Sequence, residues 1–489
     1  MKFTVEREAL GEAVAWVARA LPARPVIPVL SGLLIEAAGT GLTLSCFDYE
    51  VSARVVVPGE IAEPGAALVP GRLLAEITRS LPQRDVEISS VADMVSLRCG
   101  SAEFELVSLP VEEYPGLPEP PPPAGTVDGG VLAAAAAQVV PSASRDDTLP
   151  MLTGVCVDID GTQMTLAATD RYRLAVRTVD WSPAVAGLRA AALVPARTLA
   201  DVARTMDAGI PVTIAFTAAA QDAPAGAAEP HPAAGMISFE GGGRRLTARL
   251  IGGDFIRYRS RFPAEFACRA ELPAEQFMAA VRRVSLVADR ASPVRLTFGG
   301  GEVAIEAHTD GRARAAESVG AAFAGPEAVI SFNPHYLLDG IAAAAVCGTA
   351  ARPAAGAGRG TDAGSGDAAA APPEPGRIRL EFTSPAKPAL ITWAGYDPDV
   401  IAAASPAPGA PESVPGAPDA VPGEPAPGER EPGVADPGEP EPRAALPGAA
   451  DASQAGARAP GDDDAASTPS FRYLVVPLRS PGGPVASRP

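Results

Sequence analysis

Two kinds of hydrophobic pattern alternate along this chain. Short β-branched runs, such as Val294 to Phe298 and Val303 to Ile305, predict strands. Between them lie stretches with the period of a helix, among them Phe277-Met278-Ala279-Ala280-Val281-Arg282-Arg283-Val284. Around residues 72–81, at about 100° per residue, Leu74, Ile77 and Leu81 share one face and Arg72 and Arg79 the opposite one. Around 197–206 the same phase recurs, with Leu199, Val202 and Met206 opposed to Arg197 and Arg204.

That recurrence is part of a longer repeat. Leu68-Val69-Pro70-Gly71-Arg72-Leu73-Leu74-Ala75-Glu76-Ile77-Thr78-Arg79-Ser80-Leu81 returns as Leu193-Val194-Pro195-Ala196-Arg197-Thr198-Leu199-Ala200-Asp201-Val202-Ala203-Arg204-Thr205-Met206. A fainter third copy starts at Ile330-Ser331-Phe332-Asn333-Pro334. Pro28, Leu30, Gly32, Leu44 and Asp48 likewise match Pro150, Leu152, Gly154, Leu166 and Asp170, and a third Asp follows at Asp310. Elements recurring in one order imply homologous units. The predicted fold class is α+β, with three domains of one architecture and antiparallel sheets covered by helices on one face. The expected boundaries are 1–124, 125–264 and 265–489.

Composition changes this picture in two places. Of the 489 residues 53 are Pro and 49 Gly, and the Pro is concentrated in two tracts, about 348–376 and 397–470. Neither tract has enough large apolar side chains to offset the entropy of ordering, so both are expected to be disordered. The strand-like run Phe471-Arg472-Tyr473-Leu474-Val475-Val476 follows the second tract, which makes that tract an insertion within the third domain. It also carries 14 Asp and Glu against three Arg, so most of the chain's net charge of −18 resides there. The rest is mildly acidic, and nucleic acid is not excluded. Arg pairs repeated at one helix phase suit contact with phosphates, while Glu76 and Asp201 flank those faces and make any such contact loose.

Enzyme chemistry finds little support. The chain has three His (His231, His308 and His335), and no Gly-x-Ser-x-Gly elbow, phosphate-binding glycine loop or metal-binding His pair. Asp48, Asp170 and Asp310 recur at equivalent places, which points to a turn or strand-end role rather than to carboxylate catalysis. Five separated cysteines (Cys46, Cys99, Cys156, Cys268 and Cys347) form no CxxC pair, so neither a metal site nor a disulfide framework is expected. The charged N-terminus and the absence of a long apolar run argue against export and a membrane span, and with the separated cysteines predict a cytoplasmic protein; no cofactor is expected.

Several stretches carry a resemblance to a known family. They are Met1-Lys2-Phe3-Thr4-Val5-Glu6-Arg7-Glu8, Leu109-Pro110-Val111-Glu112-Glu113-Tyr114-Pro115, Ala168-Thr169-Asp170-Arg171-Tyr172-Arg173-Leu174-Ala175-Val176, Phe332-Asn333-Pro334 and Tyr473-Leu474-Val475-Val476-Pro477-Leu478-Arg479. In order, and everywhere outside the two tracts, the chain resembles the bacterial DNA polymerase III β subunit, the sliding clamp. The resemblance implies three clamp domains per chain, sheets outside and helices inside, and a homodimer ring closed head to tail around duplex DNA. It implies a non-catalytic processivity subunit that tethers DNA polymerase III, clamp-loader subunits and other clamp-binding proteins. A diverged paralogue acting as a partner scaffold in repair or regulation is the alternative.

Residue by residue, the resemblance implies DNA contacts at Arg24, Arg72, Arg79, Arg197 and Arg204. A partner-peptide groove would comprise Leu152, Thr169, Arg171, Tyr172, Arg173, Leu174, Asn333, Val475, Val476, Pro477, Leu478 and Arg479. The dimer interface would use Phe104, Leu106 and Leu286. The chain departs from the family at Phe255-Ile256, where Phe-Pro is usual, and at Arg261, where an apolar residue is expected. Ser480 also stands where the family has Leu, with Pro481 to Pro489 beyond it.

Overall fold

Turns too short for a crossover can only return a strand antiparallel to its predecessor, and sheet after sheet is built that way here. The computed structural model describes residues 1–39, 41–206, 208–217, 235–289, 292–309, 312–350 (backbone alone for 347–350), 376–394 and 471–478. Their strands form four antiparallel sheets of five, nine, nine and four strands. Six helices accompany them: α1 (Arg7–Ala18), α2 (Gly71–Ser80), α3 (Gly129–Val139), α4 (Ala196–Thr205), α5 (Ala274–Ser285) and α6 (Pro334–Ala350). They pack as α1 on α2, α3 on α4 and α5 on α6, one pair per repeat.

The helix phases explain the packing. Leu74, Ile77 and Leu81 in the first repeat, and Leu199, Val202 and Met206 in the second, are buried, while the arginines opposite them are exposed. Burying each such side chain contributes roughly 1.5–3 kcal/mol. Three of the six helices, α2, α4 and α5, begin directly after a proline, at Pro70, Pro195 and Pro273. In contrast, α3 starts at Asp128, whose carboxylate accepts the Val131 N–H at 3.0 Å and the Gly209 N–H at 2.9 Å. Helix α6 runs to Ala350, into the start of the first expected tract.

The recurring aspartates make turns. Asp48 Oδ1 accepts the N–H groups of Glu50 and Val51 at 3.0 and 2.7 Å, and Asp170 Oδ1 accepts those of Tyr172 and Arg173 at 3.0 Å each. The residue after each Asp, Tyr49 (φ 71°) or Arg171 (φ 80°), is held in the left-handed region by those bonds. Asp310 lies outside the described residues.

Each nine-stranded sheet joins two repeats across a seam. At the first seam the Arg244–Arg249 strand pairs with Val51–Pro58, placing Arg244 opposite Val55, Leu246 opposite Ala53 and Ala248 opposite Val51. At the second the Phe471–Val475 strand pairs with Arg173–Asp180, placing Phe471 opposite Arg177, Tyr473 opposite Ala175 and Val475 opposite Arg173. On its other side Phe471–Val475 pairs with Ala389–Trp393. The strands before and after the acidic tract are thus neighbours in one sheet, as an insertion requires. The tract itself falls at residues outside those described. Gly340 in α6 lets the helix close on this seam, because a Cβ there would meet the Tyr473 ring at 2.6 Å.

Two strands of the same kind end their sheets instead. Ala102–Val107 is the last strand of the five-stranded sheet, and Ala313–Gly320 is the last of the four-stranded one.

Candidate functional site

The second seam carries an apolar groove on one face. Side chains alternate along a strand, so Leu174 and Leu474, directly opposite each other, point away from the main core. They join an apolar cluster with Cys156, Ala167, Val176, Leu193, Tyr258 and Leu390, against which Ile251, Phe255, Ile256, Phe262 and Phe266 pack. A groove of about 460 Å³ opens there, lined by Leu152, Thr169, Arg171, Arg173, Leu174, Ile256, Arg261, Pro388, Leu474 and Val476. Six of the residues expected from the sequence therefore meet in one place, and Ile256, Pro388 and Leu474 join them.

The remaining expected residues behave differently. Val475 is a correction: it is fully buried in the main core, and its neighbour Leu474 takes the groove face, because adjacent strand residues cannot share a side. Tyr172 is half exposed and stacks on Tyr336 with ring centroids 6.3 Å apart, while its carbonyl accepts the Val476 N–H at 2.8 Å. Asn333 caps α6, its Oδ1 accepting the His335 N–H at 2.9 Å. Pro477 is partly buried, and Leu478, more exposed, donates its N–H to the Ser331 carbonyl at 2.8 Å. Arg479 lies outside the described residues, as do Ser480 and Pro481 to Pro489.

Arg173 is engaged inside the protein. Its Nε meets Asp170 Oδ2 at 3.0 Å, its Nη1 meets Asp339 Oδ2 at 2.5 Å, and its Nη2 donates to the Pro141 carbonyl. The guanidinium also lies 4.5 Å from the centre of the Tyr336 ring. Burial alone would lower its pKa, but Tyr473, Asp339 and Asp170 more than offset this and hold it above its ordinary value. Arg173 therefore ties the second repeat to α6 beside the groove. Arg171 and Arg261, by contrast, are exposed at the rim.

The first seam presents a different face, as two of its residues show. Ser52 and Thr247 stand opposite each other there, in the register of Leu174 and Leu474. The Thr247 hydroxyl donates to Ser238 Oγ at 3.1 Å, so that face is polar and internally bonded.

The basic helix faces are only partly free. Arg24, Arg72, Arg79 and Arg197 are exposed. Arg72 Nη2 donates to the Pro22 carbonyl at 3.2 Å, which anchors it against the segment after α1. Arg197 lines a small cleft together with Arg19, Pro22, Asp48 and Asp201, so Arg19 joins the basic group unforeseen. Arg204 is also exposed but ion-paired with Asp201 one helical turn away, which offsets part of the charge it would offer a phosphate.

Of the residues expected at the dimer interface, Leu286 is 84% exposed at the end of α5 and Phe104 is partly buried in the Ala102–Val107 strand. Leu106 is a correction, being 4% exposed and closed into the core of its own repeat, because it lies on the inward-facing side of its strand.

Comparison with known proteins adds a family. Models for the N-terminal, central and C-terminal domains of the DNA polymerase III beta subunit match residues 1–118, 126–256 and 259–346. The beta sliding clamp of Streptomyces coelicolor is 49% identical over 343 residues, covering 70% of this chain and 88% of that protein. The beta sliding clamp homolog GriR of Streptomyces muensis is 41% identical over 341 residues, covering 70% of this chain and 88% of its own. The crystal structure of the DNA polymerase sliding clamp from Bacillus subtilis superposes with a TM-score of 0.68 at 24% identity, covering 81% of this chain and 96% of that one. This last likeness concerns the fold.

Proposed function

The chain belongs to the DNA polymerase III β-subunit family, and on that premise we propose that it is a sliding clamp. Two copies close head to tail around duplex DNA, and the groove at the second seam tethers the polymerase and other partners. The observation that carries this reading is that two strands, Ala102–Val107 and Ala313–Gly320, each end a sheet with no partner strand beyond them among the described residues. Each is the repeat equivalent of a strand that is paired at an internal seam. Gly100 (φ 60°) leads into the first as Gly242 (φ 58°) leads into Arg244–Arg249. Ala313–Gly320 returns from its neighbour as Val51–Pro58 does, with Gly320 opposite Glu302 where Pro58 is opposite Gly41.

Both internal seams share one register, with Leu246 on Ala53 and Tyr473 on Ala175. Carried over to a second copy, that register sets Phe104 against the partner subunit's Ala315 and Glu105 against the partner subunit's Arg314. A large side chain again covers an alanine, and opposite charges face each other. An unpaired edge is a liability unless something covers it, and a head-to-tail contact that closes by rotation yields a ring.

Duplex DNA would be held through its phosphates, by Arg24, Arg72, Arg79 and Arg197, with Arg204 contributing little. Contacts of this kind are independent of sequence. No role in the chemistry of synthesis falls to the chain, which acts in the cytoplasm as a processivity subunit. The three clamp domains are assigned to 1–124, 125–264 and 265–489. The stronger likeness to the Streptomyces coelicolor clamp than to the GriR homolog favours the replicative role over a paralogue.

Sedimentation of the full chain tests the reading. A dimer at micromolar concentration is expected, and a monomer throughout that range would overturn the ring.

A further inference from the structure

We propose that the segment seated in the groove carries a carboxylate side chain beside its apolar anchors, held by Arg171 and Arg261. This rests on reading the groove as the site of partner peptides and adds the chemistry by which such a peptide is chosen.

The backbone that carries each of the two guanidinium groups is fixed, and among the described residues neither group is ion-paired. Arg171 follows the Asp170 turn in the left-handed region, and its N–H is bonded to Thr169 Oγ1 at 3.1 Å, so its Cα is fixed at the rim. Across the groove, the Arg259–Arg261 turn places Arg261, whose N–H donates to the Tyr258 carbonyl at 3.0 Å. That turn is pinned to the sheet, since the Tyr258 hydroxyl donates to Asp158 at 2.7 Å and Arg259 Nη2 reaches the same carboxylate at 2.9 Å. Among the described residues, neither the Arg171 nor the Arg261 side chain makes a hydrogen bond or ion pair.

The carboxylates nearby are engaged elsewhere. Asp170 and Asp339 hold Arg173, and Asp158 holds Tyr258 and Arg259. Asp146, which feels the charge of Arg171, is bonded first to the hydroxyl and N–H of Thr148. The groove thus combines an apolar floor of Leu152, Leu174, Leu474 and Val476 with a locally basic rim, in a chain whose net charge is −18.

A peptide lying over this rim removes water from both guanidinium groups. Without a partner charge that desolvation opposes binding, whereas a carboxylate restores the lost interaction through the planar donor fork. The occupant is therefore an acidic–apolar linear segment of another protein. The acidic tract of this same chain, which precedes the groove strand in sequence, is the rival occupant.

The test uses labelled decapeptides carrying Leu and Phe anchors, identical except for Asp, Asn or Lys on either side of those anchors. They are titrated against the full chain, an Arg171→Gln/Arg261→Gln variant and a chain lacking residues 403–468. The full chain should bind the Asp peptide about threefold to fivefold more tightly than the Asn peptide, the range of an exposed ion pair, and the Lys peptide most weakly. In the double variant the Asp-to-Asn ratio should fall to about one, and added salt should shrink it in the full chain. Equal binding of Asp and Asn peptides, with Leu174→Ala still weakening both, would overturn this inference and leave the groove reading standing. No binding of any peptide would overturn both. An Asp preference present only after deletion of 403–468 would assign the arginines to the chain's own tract and overturn the partner assignment.

Discussion

Leu174 and Leu474 stand directly opposite each other across the second seam, while the first seam has Ser52 and Thr247 in the same register. These paired positions are among those that distinguish the apolar groove from the polar face of the first junction. A trough able to take apolar anchors needs side chains of that kind on both strands.

Truncating either leucine removes part of that trough. Leu174→Ala or Leu474→Ala is expected to weaken an anchor-bearing peptide by roughly 1.5–3 kcal/mol, the worth of burying one aliphatic anchor. Val475→Ala should act on the fold instead, lowering the melting temperature as a core truncation costing about 2–3 kcal/mol would. Peptide titration and thermal melts on the three variants separate these effects. A Val475 variant that keeps its melting temperature but loses the peptide would contradict the observed facing.

Charge reversal probes the open edges. Glu105→Arg or Arg314→Glu sets like charges opposite each other in the proposed register, and directly opposed pairs are worth roughly 0.2–1 kcal/mol at each seam. Arg314 also meets Glu306 at 2.8 Å on the adjacent strand, so Arg314→Glu should be the more damaging change. Sedimentation of both single variants should show more monomer than the native chain, and the double variant should recover dimer. No recovery would mean that another register closes the ring.

The arginines should differ in their effect on DNA. Arg197→Ala is expected to reduce the salt slope of duplex binding by about one unit, with no change in preference among sequences. Arg204→Ala should change it less, because Asp201 already pairs with that side chain. Asp201→Asn should strengthen binding by freeing Arg204. Filter or fluorescence binding over a salt series reads all three, and equal slopes for Arg197→Ala and Arg204→Ala would refute the distinction.

Buried thiols predict the alkaline limit of stability. Burial pushes Cys46 and Cys156 from 9.0 up to about 12. Burial also raises Tyr114, Tyr258 and Tyr473. Groups raised in the folded state contribute stability that is fully present below their unfolded values and is lost as the pH climbs through the folded ones. For the two thiols that window runs from 9.0 to about 12. The melting temperature should fall steadily across it. Because Cys46, Cys99, Cys156 and Cys268 are all buried, alkylation of these four near pH ~8 should be slow until the chain unfolds. Rapid native labelling of Cys46 would count against this.

The chain's own pattern determined the three repeats, the buried and exposed faces of α2 and α4, and the placement of the acidic tract between two strands of one sheet. Each of these is carried by local period or by self-similarity, and both survive without knowledge of neighbours. Tertiary structure alone decided the rest. In the run Leu474-Val475-Val476 every residue is apolar, so no period says which one faces the groove. The pairing with Arg173–Asp180 settles it, turning Leu474 and Val476 outward and Val475 into the core. Leu106 reads as an apolar edge residue until its own repeat closes over it. Arg173 and Arg171 are near neighbours of one residue type, yet only Arg173 meets Asp339, brought there by α6 from the third repeat. Whether a charge is free depends on partners supplied by distant chain, and the order of residues along one strand does not carry that.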